Sequence, residues 1–213
     1  MKIIDPEVKN AIDSSVGLRL DLGCGPRPRP GFFGVDHLEM PGISIVANLN
    51  EPLSELPDNC VSEIYTRHTL EHVTELLPLM RELHRVTRPD GRIEVVVPHF
   101  TNPYGYSDPT HVRFFGLYTF YYFADEEDQP PHKVPSFYTP HRFEVREVRI
   151  KLLQRGKLAK LLLAPLQWLV NAGPSCQDWY ERNLSRWIAA DNIRYVLRPK
   201  KPGPAPVTAH RAA

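Results

Sequence analysis

Cysteine is scarce in this chain of 213 residues: only Cys24, Cys60 and Cys176 occur, far apart and without paired ligand spacing. That excludes a disulfide framework and a zinc knuckle, and a reducing, cytoplasmic compartment is the expectation. Net charge is nearly absent too. The chain has 26 Lys and Arg against 25 Asp and Glu, a balance of +1, so no broad attraction to nucleic acid is expected. No early apolar run resembles a signal peptide, and none reaches the roughly 18 apolar residues of a spanning helix. The expected protein is soluble or peripheral, with a length that suits one domain and a sizeable core.

The dinucleotide fingerprint G-x-G-x-x-G is also missing. In its place stands LRLDLGCGPRPRPGFFGVD, Leu18 to Asp36. Leu18, Leu20 and Leu22 alternate with Arg19 and Asp21 and run into Gly23 and Gly25, as in a strand that turns tightly where a ligand meets backbone. A second short apolar run, Phe32, Phe33 and Val35, ends on Asp36, whose carboxylate can accept both ribose hydroxyl protons. Asp36 arrives much sooner than the roughly 20 residues of the dinucleotide fingerprint, which argues against NAD or FAD.

Further along, Ile43 to Ala47 reads as a third strand ending at Asn48 and Leu49, and Val61 to Tyr65 as a buried strand. Leu70 to Val86 has the spacing of an amphipathic helix, and a Pro89-Asp90-Gly91 turn leads into a strand over Arg92 to Val97. Phe143 to Leu153 reads as a strand, Trp179 to Ile188 as a helix, and Ile193 to Leu197 as the last strand. Residues 1–200 form the expected single domain, and 201–213 a disordered tail by composition. Such βα alternation predicts a parallel sheet covered on both faces, with ligands beyond the C-terminal strand edges.

At Asp21-Leu22-Gly23-Cys24-Gly25 the chain resembles the class I S-adenosylmethionine-dependent methyltransferases. PDNCVSEIYTRHTLEHV (Pro57 to Val73) and RELHRVTRPDGRIEVVVPH (Arg81 to His99) resemble the fourth strand, following helix and fifth strand of that family's small-molecule branch. The resemblance implies a Rossmann-like three-layer α/β/α sandwich. Its sheet would have seven mostly parallel strands and an antiparallel last strand. One departure is visible: Gly25 to Gly31 contains three prolines and leaves no room for a full first helix. The implied cofactor is S-adenosylmethionine, with S-adenosylhomocysteine as product. By the same resemblance Leu22, Gly23, Cys24 and Gly25 bring backbone to the methionine part and ribose, and Asp21 organises the methionyl ammonium. Asp36, with His37 beside it, holds the ribose; Asn48 and Leu49 border the adenine; His68 lies beside the methionine portion. Glu71 and His72 read as structural residues of a helix start.

Methyl transfer is an in-line displacement, and a hydroxyl acceptor of high pKa gains from a base. His99, Asp108 and His111 are the candidates, with His111 as base and Asp108 orienting it. Ser107-Asp108-Pro109 reads equally as a turn or helix cap. These three side chains have no established metal spacing, so no metal is expected. Asp108 to Phe115 also resembles a segment of methyltransferases from polysaccharide and glycolipid pathways. The aromatic region within about 100–142 reads as a substrate lid, or as core followed by solvated loop. In the apolar insert of about 154–190, KLAKLLLAPLQWLV (Lys157 to Val170) reads as a core or homodimer helix, or as a peripheral membrane contact. The expected function is methyl transfer to a small-molecule or glycan-type acceptor, most simply at oxygen. N-methylation of an amine or amino sugar, and a non-catalytic cofactor-binding partner protein, are the alternatives.

Overall fold

The computed structural model describes residues 1–14 and 17–201. Its strands are β1 (Lys2–Ile3), β2 (Leu18–Leu22), β3 (Phe33–Asp36), β4 (Ile43–Val46), β5 (Val61–Arg67), β6 (Thr87–Pro98), β7 (Arg142–Leu152) and β8 (Ala190–Lys200). They form one sheet in the order β1-β4-β3-β2-β5-β6-β8-β7. Strands β4, β3, β2, β5 and β6 run parallel, whereas β8 is antiparallel to both β6 and β7. This is the expected Rossmann-like arrangement with a reversed last strand, plus one strand: β1 adds two antiparallel residues beside β4.

Among the described residues four α-helices flank the sheet: α1 (Pro6–Asp13), α2 (Leu76–Val86), α3 (Gly156–Val170) and α4 (Pro174–Asn183). Helix α1 starts where its chemistry dictates, with Asp5 accepting from the Glu7 amide and Pro6 in the first turn. The helix expected over Leu70 to Val86 is broken. A 3-10 turn covers Leu70–His72, and α2 begins only at Leu76, because Asn50 Oδ1 accepts from the Thr74 and Glu75 amides and diverts them from helix bonding. The Pro89-Asp90-Gly91 turn is absorbed into β6 as an irregularity, where pairing with β5 jumps from Val61↔Thr87 to Glu63↔Arg92. The helix expected over Trp179 to Ile188 lies earlier, since Pro174 starts it. Lys201 donates to Arg85 O; the rest of the expected tail, 202–213, lies outside the described residues.

Neither β2–β3 nor β3–β4 is joined by a helix, a larger economy than the prolines alone predict. The two sheet faces differ accordingly. Leu20, Leu22, Ile64, Ile93, Val95, Tyr195 and Leu197 alternate onto one face and are fully buried with Leu79 and Leu83 of α2 and Tyr180 of α4. The alternate positions of five strands carry a ladder of ion pairs: Arg19 to Glu63, Glu63 to Arg92, Arg92 to Glu94, Glu94 to Arg194, and Arg194 to Glu147. This face therefore meets water through charge. The aromatic segment divides as well: Phe115, Phe120 and Phe123 are core, whereas Phe114, Phe137 and Tyr138 are exposed.

Glu94 is the centre of the ladder. Burial alone would raise its pKa, but the Arg194 hydrogen bond and the charges of Arg194 and Arg92 bring it below the ordinary carboxylate value. A depressed folded pKa contributes stability that is present above the unfolded value and lost as pH falls through the folded one. Glu94→Gln is expected to cost about 1–3 kcal/mol at pH 7 in urea denaturation, with the difference from the parent shrinking toward pH 3.

Candidate functional site

The glycine loop follows β2 and is held by two buried carboxylates. Asp36 Oδ2 accepts from the Gly25 amide at 2.9 Å, and its Oδ1 accepts from the His37 amide at 2.8 Å. Asp21 Oδ2 accepts from the Arg29 amide at 2.7 Å, so it fastens the proline-rich loop. Burial raises the Asp21 pKa, against the lowering effect of that amide and of the Arg29 charge. Arg29 itself lies over the rings of Tyr65 and Phe32. Gly23 and Gly25 have φ of +67° and +58°, in the left-handed region. A Cβ on Gly23 would lie 2.2 Å from Thr69, whose hydroxyl donates to Leu22 O at 3.1 Å. Burial pushes the Cys24 thiol up to about 11, so it is not a thiolate nucleophile.

Beyond the C-terminal ends of β2, β3 and β4 opens a cleft of about 500 Å³, lined by Gly23, Asp36, His37, Ala47, Asn48, Leu49, Asn50, Thr69, His72 and Val73. Asn50 Oδ1 also accepts from the Thr74 hydroxyl, which fixes the Asn48–Asn50 wall against the residues preceding α2. A wider groove of about 840 Å³ lies between β7 and α3, and none of the expected site residues lines it.

At one end of the cleft the loop after β6 crosses the Leu70–His72 turn. Val112 N donates to Glu71 O, and the Arg113 guanidinium donates to Val73 O and Thr74 O. These bonds bring His111 against His72, ring centroids 4.7 Å apart. His111 Nδ1 is 2.8 Å from Gly105 O, which can only accept; the neutral ring therefore carries its proton on Nδ1 and a lone pair on Nε2. His72 Nδ1 is 2.8 Å from the Thr110 hydroxyl, which in turn donates to Asp108 Oδ1 at 2.6 Å. The single hydroxyl proton is thus spent on Asp108, so Thr110 accepts from His72 Nδ1 and leaves that ring's lone pair also on Nε2. Bonds from the Thr110 hydroxyl and amide hold the Asp108 carboxyl below its ordinary value.

Of the expected cofactor residues, Gly23, Asp36, His37, Asn48 and Leu49 line the cleft, and Gly25 supports it through Asp36. Asp21, Leu22 and Cys24 lie behind it in the strand and loop. His68 stands at the end of β5 with φ of +54°, its ring turned to Glu71 at 3.4 Å and not to the cleft. Of the three expected bases, His111 lies at the cleft's end. Asp108 does not orient it through Nδ1: its Oδ2 is 3.8 Å from His111 Nε2, and it acts on His72 through Thr110. His99 is 1 % exposed, with Nδ1 on Thr101 and Nε2 on Glu181, which places it in the core. Sequence reasoning missed Glu71, His72, Thr69 and Thr110. The Glu71-His72 pair was visible, but a helix start explained it equally well.

The cleft has the size of a small-ligand site, and its glycine loop and strand-end acid suit a nucleoside. Residues 35–95 match the family model described as "Methyltransferase domain". The fold of the chain is similar to that of an S-adenosylmethionine-dependent methyltransferase from Archaeoglobus fulgidus. That likeness has a TM-score of 0.54 at 18% identity and covers 90% of this chain and 91% of that one. It is also similar to the YcgJ protein of Bacillus subtilis, with a TM-score of 0.50 at 16% identity, covering 92% and 97% of the two chains. No curated protein matches the chain in sequence. Over nearly its whole length the fold is that of S-adenosylmethionine-dependent methyltransferases.

Gly23→Ala places a Cβ into Thr69 at a backbone angle that L residues rarely adopt. A loss of about 1–3 kcal/mol in denaturant midpoint analysis is expected; Gly25→Ala, with open space around its Cβ, is expected to lose less.

Proposed function

We propose that this methyltransferase domain transfers a methyl group to a hydroxyl oxygen of a small or glycan-type acceptor. S-adenosylmethionine, when bound, supplies an electrophilic methyl carbon on a cationic sulfur. The cleft that Gly23 and the buried Asp36 line at the strand ends fits that cofactor. Asp36 and His37 would hold its ribose, and Asn48 and Leu49 its adenine.

The observation that carries the reading is the pair of imidazoles at the cleft's end, each with its lone pair fixed on Nε2. A neutral amine needs mainly orientation, whereas a hydroxyl needs a partner for its proton. The His72–His111 pair takes that proton, and Gly105 O and the Thr110–Asp108 chain stabilise the charge that develops on the rings. Next to His111, the exposed rings of Tyr106 and Phe114 stack on each other 4.4 Å apart, a platform suited to the apolar face of a sugar.

The acceptor's setting is read from α3. Leu158, Leu161, Leu162, Pro165, Trp168 and Leu169 recur at helical spacing on one exposed face, while Leu163 and Leu166 pack on the core. With Lys157 and Lys160 flanking the stripe, the helix suits the surface of an anionic bilayer, where lipid-linked glycans reside. Among the described residues no helix is long and apolar enough to cross a membrane.

His111→Ala is expected to lower kcat by about 10²–10⁴-fold on hydroxyl acceptors, with affinity for S-adenosylhomocysteine kept within about twofold. Unchanged turnover in the variant, or methyl transfer by the parent protein to amines alone, would remove the O-methylation reading; no turnover by the parent protein on any acceptor would favour a non-catalytic partner protein. Asp36→Ala is expected to weaken S-adenosylhomocysteine at least about tenfold in calorimetry. In flotation, the protein is expected to rise with anionic vesicles and Leu161→Glu to stay behind; dimerisation without flotation would assign the stripe to a second copy.

A further inference from the structure

Glu71 is the residue of this region that no role above uses. Its side chain is only 2% exposed, its Oε1 stands 3.4 Å from His68 Nδ1, and among the described residues neither carboxylate oxygen has a hydrogen-bond partner. A buried carboxylate left in this state is costly, and chains keep such groups when something absent from the free protein satisfies them. Its backbone carbonyl is the anchor of Val112, so the carboxylate sits where the two loops cross.

We propose that Glu71, His72 and His111 bind a divalent transition-metal cation at the end of the cofactor cleft. The donor atoms of these three side chains all lie within 4.8 Å of one another. His111 Nδ1 is committed to Gly105 O and His72 Nδ1 to Thr110, which leaves the lone pair of each ring on Nε2, with Asp108 Oδ2 3.8 Å from that of His111. That division of the ring is the outer-shell pattern by which proteins orient metal-bound histidine, and Asp108 continues it behind Thr110. One carboxylate and two imidazoles suit zinc, cobalt, manganese or ferrous iron, and do not suit calcium or magnesium. Ligand atoms about 2.1 Å from a tetrahedral centre lie about 3.4 Å apart, so separations of up to 4.8 Å need to close by up to about 1.4 Å. Three protein ligands leave a position open. An oxygen bound there is acidified.

The site differs from the metal set weighed in the sequence, which joined His99 and Asp108 to His111. His99 is enclosed in the core, and the missing carboxylate comes from Glu71. The proposal deepens the reading of the His72–His111 pair as the place where the acceptor oxygen is activated. With a cation bound, the two lone pairs would serve as its ligands, and the acceptor oxygen held by the cation would give up its proton to water in the open cleft. The test below needs neither methyl donor nor acceptor, so its failure is separate from failure of the O-methylation reading.

The full-length protein, stripped with a chelator and dialysed, is titrated with Co²⁺ alone while its visible d–d absorption is followed, and Zn²⁺ is then added in competition. One equivalent of Co²⁺ is expected, displaced by Zn²⁺. Glu71→Gln and His111→Ala are each expected to weaken it by at least about 100-fold, and Thr110→Val by about tenfold through loss of ring orientation. Circular dichroism and thermal melting of the metal-free variants establish that they fold. Absence of stoichiometric Co²⁺ binding would overturn the proposal, as would binding that is unchanged in folded Glu71→Gln. Either result would leave Glu71 as the ion-pair partner of His68.

Discussion

Two carboxylates on neighbouring parallel strands hold together the part of the molecule that matters most. Asp36 receives the Gly25 amide and Asp21 the Arg29 amide, so the ten residues between β2 and β3 close without a crossover helix. Everything at the cleft depends on this closure. It presses Gly23 against Thr69, which carries the Leu70–His72 turn, and that turn in turn receives the loop after β6. A carboxylate that organises loop amides can still offer oxygen lone pairs to a ligand, because each oxygen accepts more than one bond. Asp36 therefore serves the loop and remains at the cleft wall.

The cleft and the histidine cluster belong to one continuous structure with different chemical tasks. The cleft is built from strand ends and backbone, as suits a cofactor whose identity does not change. The cluster is built from loops that meet across about forty residues of sequence, at Glu71-His72 and at Asp108-Thr110-His111. Their crossing is secured by Val112 and Arg113, which donate to the carbonyls of Glu71, Val73 and Thr74.

The central strand positions and the glycine loop were legible in the sequence because each is a local pattern: alternation, a Gly pair, an acid closing a short apolar run; the reversed last strand followed only from the family resemblance, and β1 was not anticipated. The break before α2 was not, because it is made by Asn50, whose side chain takes two amides that helix periodicity would have used. Asp108 and His111 stood out by composition, and the structure sets them 3.8 Å apart; what composition did not show is that Asp108 also reaches His72. The missing information was the Thr110 hydroxyl, a single proton whose direction decides which ring Asp108 serves. His99 looked like a strand-end base; its burial between Thr101 and Glu181 depends on residues remote in sequence. The helix of Lys157 to Val170 was unusually apolar for a reason that periodicity does contain: it carries two apolar stripes, one turned to β7 and one outward.

The charged ladder on the outer sheet face gives the molecule two unlike halves. On one side stability comes from apolar burial, which salting-out ions such as sulfate strengthen. On the other it comes from partly exposed ion pairs running from Arg19 to Glu147, which any electrolyte screens over a Debye length of about 8 Å at physiological strength. A salting-out salt therefore acts with opposite sign on the two faces. The strands whose tips form the cleft are the common boundary between them, which makes the cleft the region where the salt response of the sheet converges.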